Sequence, residues 1–196
     1  MTNKTWFSTF WERKRQEWKD FNEVVDFFVR SWYEVEDVHE NPEYFDKDID
    51  ILIKKNWIIK SVEIKFDEYL DDTTNNFFFE IISNEEKTTA WCFLKSEAEI
   101  LLYYATHSKN WYFFALPELK KWFFEVRNDF KYIKDVDKKF RLQSTHTKNR
   151  EWGYQHTTIW RLVDKDYVLE ECKNKWIKYY IFNIESDLFI NKKESH

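Results

Sequence analysis

The stretch that decides the fold runs from residue 48 to residue 67, DIDILIKKNWIIKSVEIKFD. Its hydrophobic period is two. Ile49, Ile51 and Ile53 share one face, and Asp48, Asp50 and Leu52 share the other. Lys55-Asn56 makes a turn. Alternation then resumes from Trp57 to Asp67, with Val62, Ile64 and Phe66 on one face and Ser61, Glu63, Lys65 and Asp67 on the other. The runs 46–54 and 57–67 therefore read as an antiparallel hairpin. It carries Asp50 near the end of one strand, with Glu63 and Lys65 on one face of the next.

Working outward, residues 6–32 read as a long helix, because Trp18, Phe21, Val25, Phe28 and Trp32 recur at three- and four-residue spacing. Asn41-Pro42 interrupts the pattern. On the other side, 71–76 is polar loop. Residues 77–82 are apolar on both faces except at Glu80, as in a central strand. Ser96-Glu97-Ala98-Glu99 is a capping-box pattern, and the spacing of Ala98, Leu101, Leu102 and Ala105 predicts a helix there. An aromatic strand at 110–116 leads to Pro117, which opens a helix bearing Leu119, Trp122, Phe123 and Val126. Strand, helix, strand implies a parallel crossover. Residues 128–156 are charged and weakly periodic, 157–163 read as a strand, and 166–182 as a helix.

The expectation is one α+β (mixed α/β) domain. Its core spans about residues 15–127, and a basic extension with helix and strand fills about 128–196. The sheet is expected to start as a meander and end parallel.

Composition excludes several activities. The 196 residues contain 41 aromatics and one glycine, Gly153. A phosphate cradle of backbone amides needs several glycines, so no nucleotide cofactor is expected. Two cysteines, Cys92 and Cys172, are too few for a disulfide framework or a cysteine zinc site. They read as buried thiols in a reducing compartment. The first residues lack an apolar leader, and no window is a membrane span, so a cytoplasmic protein without membrane association is expected. Net charge is −5. It is unevenly spread: residues 120–161 carry 11 basic and 5 acidic side chains, on an otherwise acidic chain.

Asp50, Glu63 and Lys65 carry the chemistry. Two carboxylates within reach of each other are costly to keep ionised unless a cation neutralises them. Oxygen-only ligation suits Mg²⁺, with Mn²⁺ as a substitute, and a neighbouring lysine can orient an attacking water. An acidic residue followed two positions later by lysine occurs eight times. Only Glu63 and Lys65 lie within an alternating strand beside another that bears a face-matched Asp. The bland alternative is the polar outer face of a hairpin. Asp48 and Glu80 are weaker metal candidates; Glu80, alone on an apolar strand, needs a partner such as Lys65 or the metal. Asp67 reads as surface, and Glu34 and Glu36 sit where the first helix ends. The histidines show no zinc spacing; His146 and His156 flank a basic loop.

Residues 48–65, with the helix before them and the strand, helix and strand after, resemble the PD-(D/E)XK nuclease superfamily, in particular small phage-encoded restriction-endonuclease-like proteins. The resemblance covers about residues 15–116. It implies an αβββαβ core, metal held by Asp50 and Glu63, and Lys65 as the catalytic lysine. Ile49 stands where the motif has proline. The implied activity is Mg²⁺-dependent DNA cleavage, endonuclease rather than exonuclease, leaving 5′-phosphate and 3′-hydroxyl ends. A homodimer would allow both strands to be cut. Lys148, Arg150 and Arg161 would track the phosphate backbone, and Trp152, Tyr154 and Trp160 adjoin them as stackers. Two alternatives stand beside it. One is a catalytically silent protein on the same fold, acting as a binding or inhibitory factor such as a phage anti-host protein. The other is an RNA-directed nuclease.

Overall fold

The computed structural model describes residues 6–84, 89–90, 93–127, 140–148, 155–186 and 188–189. Helix α1 (Trp6–Arg30) comes first, then strand β1 (Glu34–Asp37) and the short helix α2 (Pro42–Phe45). The hairpin is β2 (Ile51–Lys55) and β3 (Ile58–Asp67). Next come β4 (Asn76–Asn84), β5 (Thr89–Ala90), β6 (Ile100–Ala105) and β7 (Asn110–Ala115), followed by α3 (Leu116–Arg127). The chain continues through β8 (Phe140–Lys148), β9 (Gln155–Asp164), α4 (Lys165–Asn174), β10 (Tyr179–Asn183) and β11 (Leu188–Phe189).

The fold is mixed α+β. Seven strands form one sheet in the order β1-β2-β3-β6-β7-β10-β11, and four form a second in the order β5-β4-β9-β8. In the larger sheet only β3 and β6 pair in parallel. Each face of that sheet is buried in its own core. On one face Ile51, Ile53, Val62, Ile64, Leu102, Tyr104 and Trp111 pack under Val24 and Phe28 of α1. On the other, Leu101, Tyr103, Tyr112 and Phe114 meet Phe77 and Phe79 of β4, Val163 of β9, and the apolar sides of α3 and α4.

The hairpin forms, but its first strand begins at Ile51 and not at 46: Asp48 takes φ 47°, and Ile49 packs in the core opposite the one that holds Ile51 and Ile53. Antiparallel register pairs Ile51 with Val62 and Ile53 with Lys60. Asn56 and Trp57 close it with φ of 51° and 67°, the left-handed pair that a two-residue turn of this twist requires. The turn thus sits one residue later than Lys55-Asn56. Helix α1 ends two residues earlier than its stripe suggests. Trp32 takes φ 65°, while Tyr33 N–H reaches Phe28 C=O (3.0 Å) and Trp32 N–H reaches Val29 C=O (3.0 Å). Trp18 and Trp32 lie exposed, and the buried line is Val24 and Phe28 with Phe21 and Phe27 beside it.

Four expectations are overturned. Residues 96–105 form no helix: 100–105 is β6. Its run Leu101–Ala105 is buried throughout, with Leu101, Tyr103 and Ala105 in one core and Leu102 and Tyr104 in the other. A continuous apolar run fits both periods, so spacing alone misleads. Ser96 still accepts the Ala98 N–H (3.2 Å), but its hydroxyl donates to Asp48 C=O (2.9 Å), pinning a loop. The expected αβββαβ order therefore fails at its second helix: among the described residues the route from β3 to β6 holds β4 and β5 and no helix. Residues 77–82 do form an inner strand, within β4, but it lies between β5 and β9 of the second sheet and not in the sheet of the hairpin. The larger sheet does not end parallel, since β6 and β7 are an antiparallel hairpin and the parallel pair is β3 with β6. Finally, the helix expected over 166–182 stops at Asn174, and 179–183 pairs with β7 as β10.

Among the described residues no helix is long and apolar enough to cross a membrane. Cys172 is buried, and its thiol is pushed up to about 12 by burial and by Glu171; Cys92 lies outside the described residues.

Candidate active site

Strand β3 runs past the start of β2, so its amides beyond Val62 have no strand partner on that side. Asp50, immediately before β2, fills the gap. Its N–H donates to Val62 C=O (3.0 Å), and its Oδ2 accepts the Ile64 N–H (2.7 Å). These two bonds bracket Glu63, so Asp50 stands across the ladder from it. The Asp50 carbonyl accepts from Val38 N–H (2.9 Å), which ties the residue to the end of β1 as well. Burial pushes the Asp50 carboxyl up to about 6. The Ile64 N–H and His39 oppose this, and Asp48 and Asp37 add to it.

Glu63 is buried beside Leu101 of β6, its partner in parallel register. Lys65, two residues on, shares its face. The Lys65 Nζ lies 3.9 Å from Glu80 Oε2 and 5.0 Å from the centre of the Trp160 ring. Glu80 on β4 and Trp160 on β9 are cross-strand partners in the second sheet. Burial raises the Glu80 carboxyl, Lys65 draws it back, and Asp48 raises it again. Asp48 is thus close enough to act on both Asp50 and Glu80. It adopts φ 47°, and Lys95 Nζ lies 4.0 Å from its Oδ1. Lys120 donates to Ser96 C=O (2.8 Å); burial lowers its ammonium, against the pull of Glu97 and Asp48.

Asp48, Asp50, Glu63, Lys65 and Glu80 therefore fall in one region, between the hairpin and the second sheet. Asp67 does not read as the sequence suggested. It is buried, with Oδ1 accepting from Tyr69 N–H (2.7 Å) and Leu70 N–H (3.0 Å) and Oδ2 from Tyr103 O–H (2.5 Å). The same Tyr103 hydroxyl accepts the Phe78 N–H (3.0 Å), bridging the two sheets. Glu34 and Glu36 are on β1, exposed, and Glu34 pairs with Lys54 (2.9 Å). Arg161 is only 6 % exposed, which takes it off the open surface a phosphate backbone would meet. Lys148 ends β8. Arg150, Trp152 and Tyr154 lie outside the described residues, and of the side chains of Lys148, His146 and His156 nothing is described.

Trp160, expected among the stackers on nucleic acid, lies instead against the Lys65 ammonium. Lys95 and Lys120 were not anticipated. No local signal marks them, because each reaches the site from an element distant in the chain.

The donors here are all carboxylate oxygens, and Asp50 is held against its own ionisation, a cost that a cation would relieve. Among the described residues no three His, Cys, Asp or Glu side chains converge on a common point. A pair of carboxylates with water and substrate oxygens is the set that Mg²⁺ takes. Comparison of the chain with protein-family models, with curated proteins and with solved structures returned no match.

Proposed function

We propose that the chain is a Mg²⁺-dependent phosphodiester hydrolase acting on DNA, with Asp50 and Glu63 as metal ligands and Lys65 as the residue that positions the water. The observation that carries this reading is the bracketing of Glu63 by the two Asp50 hydrogen bonds, which stands Asp50 opposite Glu63 across the ladder, with Lys65 two residues on along β3. The strand order β1-β2-β3-β6, with β6 parallel to β3, also supports it.

A magnesium ion on Asp50 and Glu63 would supply Lewis-acid polarisation of a phosphoryl oxygen. The residues themselves do the rest. Asp50 binds in its ionised form, and Ile64 N–H fixes which oxygen is free. The Lys65 ammonium orients a water and stabilises charge that develops on the phosphate oxygens. Glu80 and the Trp160 ring hold that ammonium in place.

The test is incubation with single-stranded, duplex and branched DNA and with RNA in Mg²⁺, with EDTA as control. Lys65→Ala is expected to slow cleavage by about 100-fold or more. Cleavage that persists in that variant rules the assignment out.

One observation favours a second reading, a binding protein without catalysis. The surroundings of Lys65 are acidic: Glu17, Asp20 and Glu68 line the cavity next to it, an unfavourable approach for a polyanion. A stable complex with a protein partner and no cleavage would point there.

A further inference from the structure

Between α1, the end of β3 and the second sheet lies a cavity of about 360 Å³. Its walls are aromatic: Tyr69, Phe78, Tyr103 and Trp160 line it. Tyr69 and Phe78 lie with ring centres 6.5 Å apart, and Phe78 meets Trp160 edge to face at 6.5 Å. One of these rings already holds a cation, since Lys65 Nζ sits 5.0 Å from the centre of the Trp160 ring.

The charges around the walls have one dominant sign. Glu17, Asp20, Asp67 and Glu68 line the cavity, against Lys65 alone. Asp67 already accepts three hydrogen bonds from the protein. Asp20 is different: its side chain is 4 % exposed, with Gln16 Nε2 at 3.0 Å and Lys109 Nζ at 3.8 Å, both on Oδ1. Glu68 stands exposed at the mouth next to Tyr69, and its charge is felt at Asp20. Aromatic walls with buried and rim carboxylates suit a flat or alkylated cation, whose charge meets the carboxylates and whose body lies on the rings.

We infer that this cavity binds an organic monocation, a guanidinium or alkylammonium group, between Tyr69, Phe78 and Trp160 with Asp20 and Glu68 as its counter-charges. The inference goes beyond the hydrolase reading and does not depend on it.

Pentylguanidinium and the peptide acetyl-Gly-Arg-Gly-amide serve as probes. Each is titrated into the full chain by calorimetry, in EDTA and without nucleic acid, so that a failed hydrolase reading leaves the result intact. Binding of either probe supports the site, and the tighter of the two tells a free small cation from an arginine side chain of a partner. Glu68→Gln and Asp20→Asn are each expected to weaken binding by about ten-fold, the loss of one partly desolvated charge. Trp160→Leu should weaken it by about five-fold. Glu68 is exposed, so its variant folds even where Asp20→Asn does not. The inference is overturned by no binding of either probe at millimolar concentration, by equal binding of neutral pentylurea, or by unchanged affinity in Glu68→Gln.

Discussion

Asp50 is a residue on which two demands conflict. Its carboxyl satisfies the Ile64 amide, yet burial raises it to about 6 from an ordinary 3.8. The folded chain therefore holds a proton that the unfolded chain has already released between about pH 4 and 6. Stability falls as pH rises through that window, by about 3 kcal/mol, and the loss persists at neutrality. Asp50→Asn keeps an acceptor for Ile64 and removes the charge. It is expected to match the wild type near pH 4 and to exceed it by about 3 kcal/mol at pH 7.5, measured by urea unfolding. The same variant should abolish any stabilisation by Mg²⁺ and any cleavage, and wild-type cleavage should rise as pH passes 6. An Asp50→Asn chain less stable than the wild type at pH 7.5 would contradict this account of the residue.

At the scale of elements, glycine scarcity leaves its mark. Among the described residues, positive φ falls on Trp32, Asp48, Asn56, Trp57, Asp71, Lys109 and Trp176. A left-handed conformation costs a residue with a Cβ about 1–2 kcal/mol. At the β2–β3 turn this cost falls on Trp57, which is 92 % exposed and touches little beyond the Lys54 ammonium at 5.7 Å. Trp57→Gly creates the Asn-Gly pair that such turns prefer. It should stabilise the chain by about 1 kcal/mol, read from the denaturant midpoint at unchanged slope. The hairpin itself was legible because its period is local, although its turn falls one residue later than expected and Ile49 packs on the opposite face from Ile51. Strand β6 was not. Leu101–Ala105 is apolar at every position, and only the presence of a core on both faces makes it a strand rather than a helix. The Lys65–Glu80 pair was foreshadowed by the lone charge on an apolar strand, but the Trp160 ring over Lys65 was not, because β9 arrives with the second sheet, whose docking no local spacing encodes.

At the scale of the molecule, carboxylates of two kinds oppose each other. Asp71 joins the loop after β3 to the β6–β7 turn and to α4. It accepts from Ser108 (3.1 Å), Asn110 (2.9 Å), Tyr112 (2.5 Å) and the Lys165 ammonium. Burial would raise its carboxyl, but the bonds from Lys165, Tyr112 and Asn110 hold it below the usual range. Its contribution is present above pH 4 and lost as the pH falls through the folded value. Asp20, Asp50 and Glu80 are raised mainly by burial, so they subtract stability as pH rises above 4. The melting temperature is therefore expected to peak on the acid side of neutrality, between about pH 4 and 6. A flat profile to pH 8, or a maximum at pH 8, would show that these carboxylates do not govern it.

By itself the sequence determined what lies within one hairpin: the alternation of 51–55 and 58–67, and Glu63 and Lys65 two residues apart on one strand. A hairpin is built from contacts between residues near in the chain, so its period suffices to find it, to within a residue at the turn. Tertiary structure decided the rest. It made 100–105 a strand, sent 76–84 to a second sheet, buried Asp67 and Arg161, and set Glu80 and Trp160 against Lys65. Those outcomes depend on which apolar faces find each other across long stretches of chain, and on the charges that burial then forces together.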